Sequence, residues 1–425
     1  MTNLPNRPRL KMVRRAALVA VLLIAGGTAW LWQPSIAPAP PPPRSAFAPE
    51  QIVRGATLAA VGDCAVCHTT SGGHPYAGGR GVPTPFGIIY ATNITPDPET
   101  GIGAWSEDAF RRAMRDGISR DGTHLYPVLP YPHFTRATDE DIAAIYAFLM
   151  TRPPVRQATP PNHLPFPLNH RMLLAGWNLL YLQPGVWQPD PTHDAEWNRG
   201  AYLTQAIGHC GACHTPHNAM GAERRGEALS GGVAEDWYAP PLQASSPAGV
   251  PWTQEALSTY LRTGFQAQHG AAAGPMTAVT DELAAVPDAD IGAIATYIAS
   301  GMPTATRQPD LPLAGNDPAA HALFAGACGG CHGIDAPMIL RGAPRLTLGT
   351  AVNAPTPQGV IEMILNGIPA REGKAAPYMP GFAAVLTDAQ IADLAAYLRA
   401  TYSSGAPWQD LPNAVAKARQ NGGAS

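Results

Sequence analysis

All six cysteines of the chain fall in three copies of one five-residue pattern: Cys64-Ala65-Val66-Cys67-His68, Cys210-Gly211-Ala212-Cys213-His214 and Cys328-Gly329-Gly330-Cys331-His332. Two thiols two residues apart, followed at once by an imidazole, form the signature of covalent haem c attachment. The thiols make thioether bonds to the vinyl groups, and the adjacent imidazole (His68, His214 or His332) becomes the proximal iron ligand. A thioredoxin-like dithiol does not need the following histidine, and zinc would need four ligands at each place. Three covalently bound haem c groups are expected, with no cysteine left for a disulfide or an iron–sulfur cluster.

The elements that must position these motifs repeat with them. The motifs begin 146 and 118 residues apart, and 425 residues at about 150 per domain suggest three domains. The pattern predicts a mainly α chain with units at 50–155, 193–303 and 316–402, a connector at 156–192 and a linker at 304–315. Downstream of its cysteines each unit has a helical stretch ending at a glycine, Gly117, Gly264 or Gly367. Each closes with an amphipathic helix whose apolar residues recur at helical spacing. These are Ile142, Ile145, Tyr146 and Leu149; Ile291, Ile294, Ala295 and Ile298; and Ile391, Leu394, Ala395 and Leu398. Phe148, Tyr297 and Tyr397 share one register there. Thr138 and Thr387 read as N-caps, and Thr387 with Gln390 as a capping box.

Twelve residues after the glycines stand Leu129, Met276 and Met379. The shared offset makes Met276 and Met379 candidate sixth ligands, and His/Met ligation raises the reduction potential. Leu129 cannot bind iron, so the first unit breaks the pattern. Its segment His124 to His133 offers two imidazoles instead. Bis-His ligation is expected there, with His124 ahead of His133; the alternative is a five-coordinate iron.

Residues 1–15 carry Arg7, Arg9, Lys11, Arg14 and Arg15 and no acid, and Ala16 to Trp32 are seventeen uncharged positions. Such a segment (1–33) is a single membrane anchor or a cleaved secretory signal, and either sends the remainder to the periplasmic side. Residues 34–49, with Pro40 to Pro43, read as a stiff polyproline linker lifting the domains off the membrane. Met172 to Leu182 is apolar but too short to span. It is a membrane-surface or quinone-adjacent helix, or a buried inter-domain one. The 403–425 tail is expected to be extended and docked on a partner. Asn93-Ile94-Thr95 fits a glycosylation sequon, though its turn-like context favours a structural loop. A net charge of −3 supplies no basic field for nucleic acid.

With the three motifs, the stretches Tyr90 to Trp105 (YATNITPDPETGIGAW) and Leu125 to Phe134 (LYPVLPYPHF) make the chain resemble the triheme cytochrome c subunits of membrane-bound bacterial dehydrogenases, best known from acetic acid bacteria. The similarity runs from about Pro49 to Trp408. It implies three class I cytochrome c domains in series, beside a catalytic subunit that oxidises an alcohol, aldehyde or sugar. The triheme subunit passes the electrons to membrane ubiquinone at the periplasmic face of the inner membrane and carries out no substrate chemistry itself. The cytochromes of pyrroloquinoline quinone alcohol dehydrogenases carry Met where this chain has Leu129. The HLYP stretch without Met is more similar to the cytochrome subunits of molybdopterin and iron–sulfur aldehyde dehydrogenases, or of related hydroxylases of nitrogen heterocycles. Other readings are the cytochrome of a quinoprotein alcohol or flavin-dependent sugar dehydrogenase, a stand-alone electron shuttle, or a haem peroxidase using an open first iron.

Overall fold

The computed structural model describes residues 33–305, 317–333, 335–340, 345–371 and 377–422, together with Met12, Arg14, Arg15 and Leu18. Apart from Leu18, the apolar run Ala16 to Trp32 lies outside the described residues, as does most of the 304–315 linker. Among the described residues, no helix is long and apolar enough to cross a membrane.

Helices dominate, as the patterning requires. In chain order the longer ones are α1 (Pro49–Val61), α2 (Glu107–Asp116), α3 (Asp139–Met150), α4 (Leu173–Tyr181), α5 (Ala195–Tyr202), α6 (Gln254–Thr263), α7 (Pro275–Leu283), α8 (Asp288–Gly301), α9 (Pro318–Ala327), α10 (Gln358–Asn366), α11 (Asp388–Tyr402) and α12 (Leu411–Gly422). Two short antiparallel ribbons that the sequence reading did not anticipate follow the first two motifs. They are β1 (Gly81–Thr84) with β2 (Gly87–Tyr90), and β3 (Gly232–Ala234) with β4 (Trp237–Ala239).

The repeat is visible in the caps. Helices α2, α6 and α10 stop at Gly117, Gly264 and Gly367, whose φ angles of 63°, 71° and 70° lie where an L side chain is strained. The Thr138 side chain accepts from Asp141 N at the start of α3, and Thr387 with Gln390 forms the full capping box of α11. The apolar stripes of α3, α8 and α11 are buried throughout.

Each closing helix crosses the helix that precedes its motif. A Cβ on Gly55 in α1 would lie 1.9 Å from Ala144 O, and one on Gly200 in α5 would lie 1.8 Å from Ala293 O. Only glycine allows backbones this close. The residue before each glycine locks the crossing: Arg54 Nε meets Asp141 Oδ1 at 2.6 Å and Arg199 Nε meets Asp290 Oδ1 at 2.8 Å. The signal was available in the repeated Arg54-Gly55-Ala56 and Arg199-Gly200-Ala201. After α5 the chain makes one π-helical turn, Leu203–Ile207, closed by Gly208 N donating to Leu203 O at 2.6 Å.

Residues 58–302 of the first two units build one continuous apolar core, whereas Phe324, Ile391, Trp408 and Val415 belong to a second core confined to the last unit. Two expectations are corrected here. The 34–49 linker does not stand off as a free rod at its start: Ile36 N donates to Arg120 O at 2.8 Å, Ala39 N to Ala104 O at 3.0 Å, and Arg112 Nη1 to Pro34 O at 2.7 Å. Nor is the 403–425 tail extended. Its helix α12 buries Leu411, Val415 and Ala418 against the last unit, because those residues recur at helical spacing beside Trp408.

Connector helix α4 has two characters. Trp177 is wedged between the units, edge-on to Tyr131 and donating through Nε1 to Met220 O at 2.9 Å. Elsewhere on the helix Leu173, Leu179 and Leu180 are 52%, 67% and 60% exposed.

Candidate haem-binding sites

Each motif forms a short helical turn, Cys64–His68, Gly211–His214 and Gly329–His332. The Nδ1 of His68 is 2.5 Å from Thr92 O and that of His214 is 2.6 Å from Pro240 O. Each Nδ1–H donates to its carbonyl, which fixes the tautomer and leaves Nε2 as the metal-binding nitrogen. Burial holds all three motif imidazoles below their ordinary pKa, favouring the neutral form a ligand needs.

The six cysteines are unpaired. Burial, reinforced by Asp63, pushes the thiols of Cys64, Cys210 and Cys213 up to about 12. A redox dithiol or a zinc site needs the opposite, a thiolate stabilised by nearby positive charge. Neutral buried thiols beside neutral imidazoles fit haem c attachment.

The first two motifs adjoin each other. His209 Nε2 lies 3.2 Å from Gly62 O, joining the residue just before the second cysteine pair to one two positions before the first. Between the units lies one cavity of about 3490 Å³, lined by Cys64, Cys67, His68, Cys213, Gly274 and Pro275. Small-ligand pockets hold roughly 300–1,000 Å³, so this space suits large groups. The Asp63 carboxyl at its edge is pushed up to about 8, first by burial and then by Glu282. The third motif is more open: Cys328 is half-buried and Cys331 exposed. Its unit is clasped to the second by Arg371, which donates to Thr277 O at 3.2 Å and Thr280 Oγ1 at 3.0 Å and pairs with Asp281.

The candidate sixth ligands are placed as follows. Met276 stands in the first turn of α7, not in a loop, and packs half-buried against the shared core. Met379 is half-buried and bridges to Ile368, beside the glycine that ends α10. Leu129 lines the large cavity. His124 is 5% exposed and bridges to Ile118; the cavity wall is formed by Leu125 to Pro130, and His124 is not part of it. His133 lines the cavity, but its Nδ1 is 2.7 Å from Gln205 O and its Nε2 is 2.5 Å from Glu223 Oε1. Both nitrogens of His133 are thus engaged in joining the first unit to the second. Asn93 is 2% exposed and bonds Thr100 and Val155 O, so the sequon is a structural loop.

The cytochrome c family matches residues 52–153, and the family of cytochrome c oxidase, cbb3-type, subunit III matches residues 315–398. The chain is 47% identical over 404 residues to a subunit of nicotinate dehydrogenase from Pseudomonas putida, covering 93% of this chain and 34% of that protein. It is 36% identical over 419 residues to the fructose dehydrogenase cytochrome subunit of Gluconobacter japonicus, covering 90% and 84%. It is 34% identical over 399 residues to the cytochrome c subunit of the quinone alcohol dehydrogenase of Gluconacetobacter polyoxogenes, covering 87% and 84%. The chain therefore spans about a third of the first of these relatives and most of the other two.

Proposed function

The chain belongs to the cytochrome c subunits of membrane-bound dehydrogenases, and from that membership we propose that it carries three haem c groups, in three class I domains, and relays electrons from a catalytic subunit to ubiquinone. Cys64, Cys67, Cys210, Cys213, Cys328 and Cys331 hold the porphyrins, and His68, His214 and His332 bind the irons. Met276 and Met379 complete the second and third. Haem supplies a one-electron couple whose potential the axial ligands set. The chain supplies attachment, ligand orientation through Thr92 O and Pro240 O, and exclusion of water by burial.

One observation carries the reading: two attachment motifs abut and open on the same large cavity, with the third unit clasped alongside. That arrangement suits a conduit for electrons. The catalytic partner in this reading is a molybdopterin enzyme, with an iron–sulfur subunit, that oxidises an aldehyde or a nitrogen heterocycle. The higher identity to the nicotinate dehydrogenase subunit than to the fructose and alcohol dehydrogenase cytochromes supports this choice. The assembly sits on the periplasmic side of the inner membrane. The basic N-terminal segment with its uncharged run supports this location, as do the exposed leucines of α4.

The test is purification of the subunit with its partner. Expected are three haems per chain, reduction on addition of nicotinate or an aldehyde, and reoxidation by a short-chain ubiquinone. A complex whose haems stay oxidised with either substrate class, and are reduced by ethanol or fructose instead, would replace the molybdopterin partner with a quinoprotein or flavoprotein.

A further inference from the structure

The first unit departs from the other two at two positions, and the departures are reciprocal. Twelve residues after the capping glycine the chain reads Leu129, Met276 and Met379; three residues before it, Met114, Leu261 and Ile364. Where the later units have methionine on the segment that returns after the glycine, the first has leucine. Where they have an aliphatic residue on the helix, the first has methionine.

The two positions lie on chain segments that meet in the fold. In the last unit Met379 bridges to Ile368, a Cβ on Gly367 would lie 2.2 Å from Met379 O, and Phe382 N donates to Ile364 O at 2.8 Å. In the first unit the loop folds back on the same helix end. Leu125 N donates to Gly117 O at 2.7 Å, and the Tyr131 ring comes within 2.6 Å of a Cβ placed on Gly117. Met114, Leu261 and Ile364 are each 6% exposed, so they occupy equivalent inward-facing places. Met114 and Leu129 both line the cavity that Cys64, Cys67 and His68 line. Met150, the other methionine of this unit, is buried in α3 and is not part of that wall.

We propose that Met114 is the sixth iron ligand at the first motif, its thioether arriving from helix α2 instead of from the segment that follows the capping glycine. Leu129 fills the volume that Met276 and Met379 fill in the later units. Leucine and methionine exchange with little change of volume, and the unbranched thioether can adapt to a new approach direction. The bond is dative, a sulfur lone pair on iron, so no proton or electron is displaced. This assignment rests on the haem reading above. It accounts for the missing methionine at position 129 without using His133, whose nitrogens already serve the contact between units.

The experiment uses the full, haem-matured chain, with haem content read first by pyridine haemochromogen. Fewer than three haems per chain would count against the parent reading, which separates the two failures. Near-infrared magnetic circular dichroism of the oxidised wild type should then show sulfur-to-iron charge transfer from three low-spin haems; a signal from only two would overturn the assignment. In Met114→Leu one haem of three should become high-spin and bind CO when reduced, and adding Leu129→Met should restore the low-spin state. An unchanged spectrum in Met114→Leu, or loss of the low-spin state in His124→Ala alone, would give the position to another group.

Discussion

The first two units and the third solve one local problem with arginines from different places. Before each closing helix the chain turns sharply and leaves carbonyls without partners in the helix. In the first unit Arg115, near the end of α2, donates to Thr135 O at 3.0 Å and Ala137 O at 2.6 Å, and reaches Asp139 at 2.9 Å. In the second Arg262, near the end of α6, donates to Ala284 O at 3.0 Å and Val286 O at 2.7 Å and pairs with Asp288. Both stand two residues before the capping glycine. The third unit has Leu365 there. Its guanidinium comes from the tail: Arg419 of α12 donates to Ala383 O at 2.5 Å and Leu386 O at 2.8 Å and meets Asp388 at 2.5 Å. The requirement lies in the backbone, because buried carbonyls must be satisfied; the source of the donor is free to move. The third unit thereby depends on a helix that the other two lack, and its core stays its own.

The sharpest way to break this comparison is Trp408→Ala. Trp408 is 7% exposed, donates to Ala354 O at 3.0 Å and lies under the Arg399 guanidinium. Its loss should cost about 3–5 kcal/mol. Calorimetry should show a lowered transition for the third unit alone. A simultaneous fall in the first pair would mean that the cores are not separate. Next in size, Gly55→Ala or Gly200→Ala should each cost about 1–3 kcal/mol, because the added carbon meets a backbone carbonyl at the helix crossing. Denaturant titration followed by Soret absorbance reads this, and either variant should weaken both early units through their common core.

Smaller still, Arg115→Ala, Arg262→Ala and Arg419→Ala should each cost about 1–2 kcal/mol, mostly from unsatisfied carbonyls. Equal losses in thermal unfolding would confirm that the tail arginine is equivalent to the other two. A separate, pH-dependent effect concerns Glu362, 5% exposed on α10. Burial first, and Asp236 second, push its carboxyl from 4.5 up to about 7. Between those values the folded chain holds a proton that the unfolded chain has released, so stability falls as pH rises from 4.5 to 7. Glu362→Gln should flatten that slope, which stability measurements at several pH values would show; an unaltered slope would assign it to other groups.

Much of this was legible along the chain. The attachment motifs are fixed by covalent chemistry, the glycine stops by φ, and the closing helices by apolar spacing and threonine caps. Features that depend on distant partners were not. The importance of Gly55 appears only when Ala144 lies across it. The tail helix looked like polar coil until Trp408 and the Val415 stripe met the last core. The linker prolines suggested a rod, and no local signal shows that Arg112 and Arg120 hold the strand beside them. His133 illustrates a further limit. Its sequence neighbourhood suited a ligand, but Glu223, 90 residues away, engages it.

The π-helical turn Leu203–Ile207 has a consequence for grafting. Cys64 stands nine positions after Gly55, but Cys210 stands ten after Gly200. One extra residue in an α-helix would rotate everything beyond it by about 100°. The wide turn at Leu203–Ile207 can absorb that residue and spare the second cysteine pair the rotation. A chimera that gave the second unit the first unit's leading helix would therefore have to shorten by a single position, or its porphyrin pocket would be entered from the wrong side.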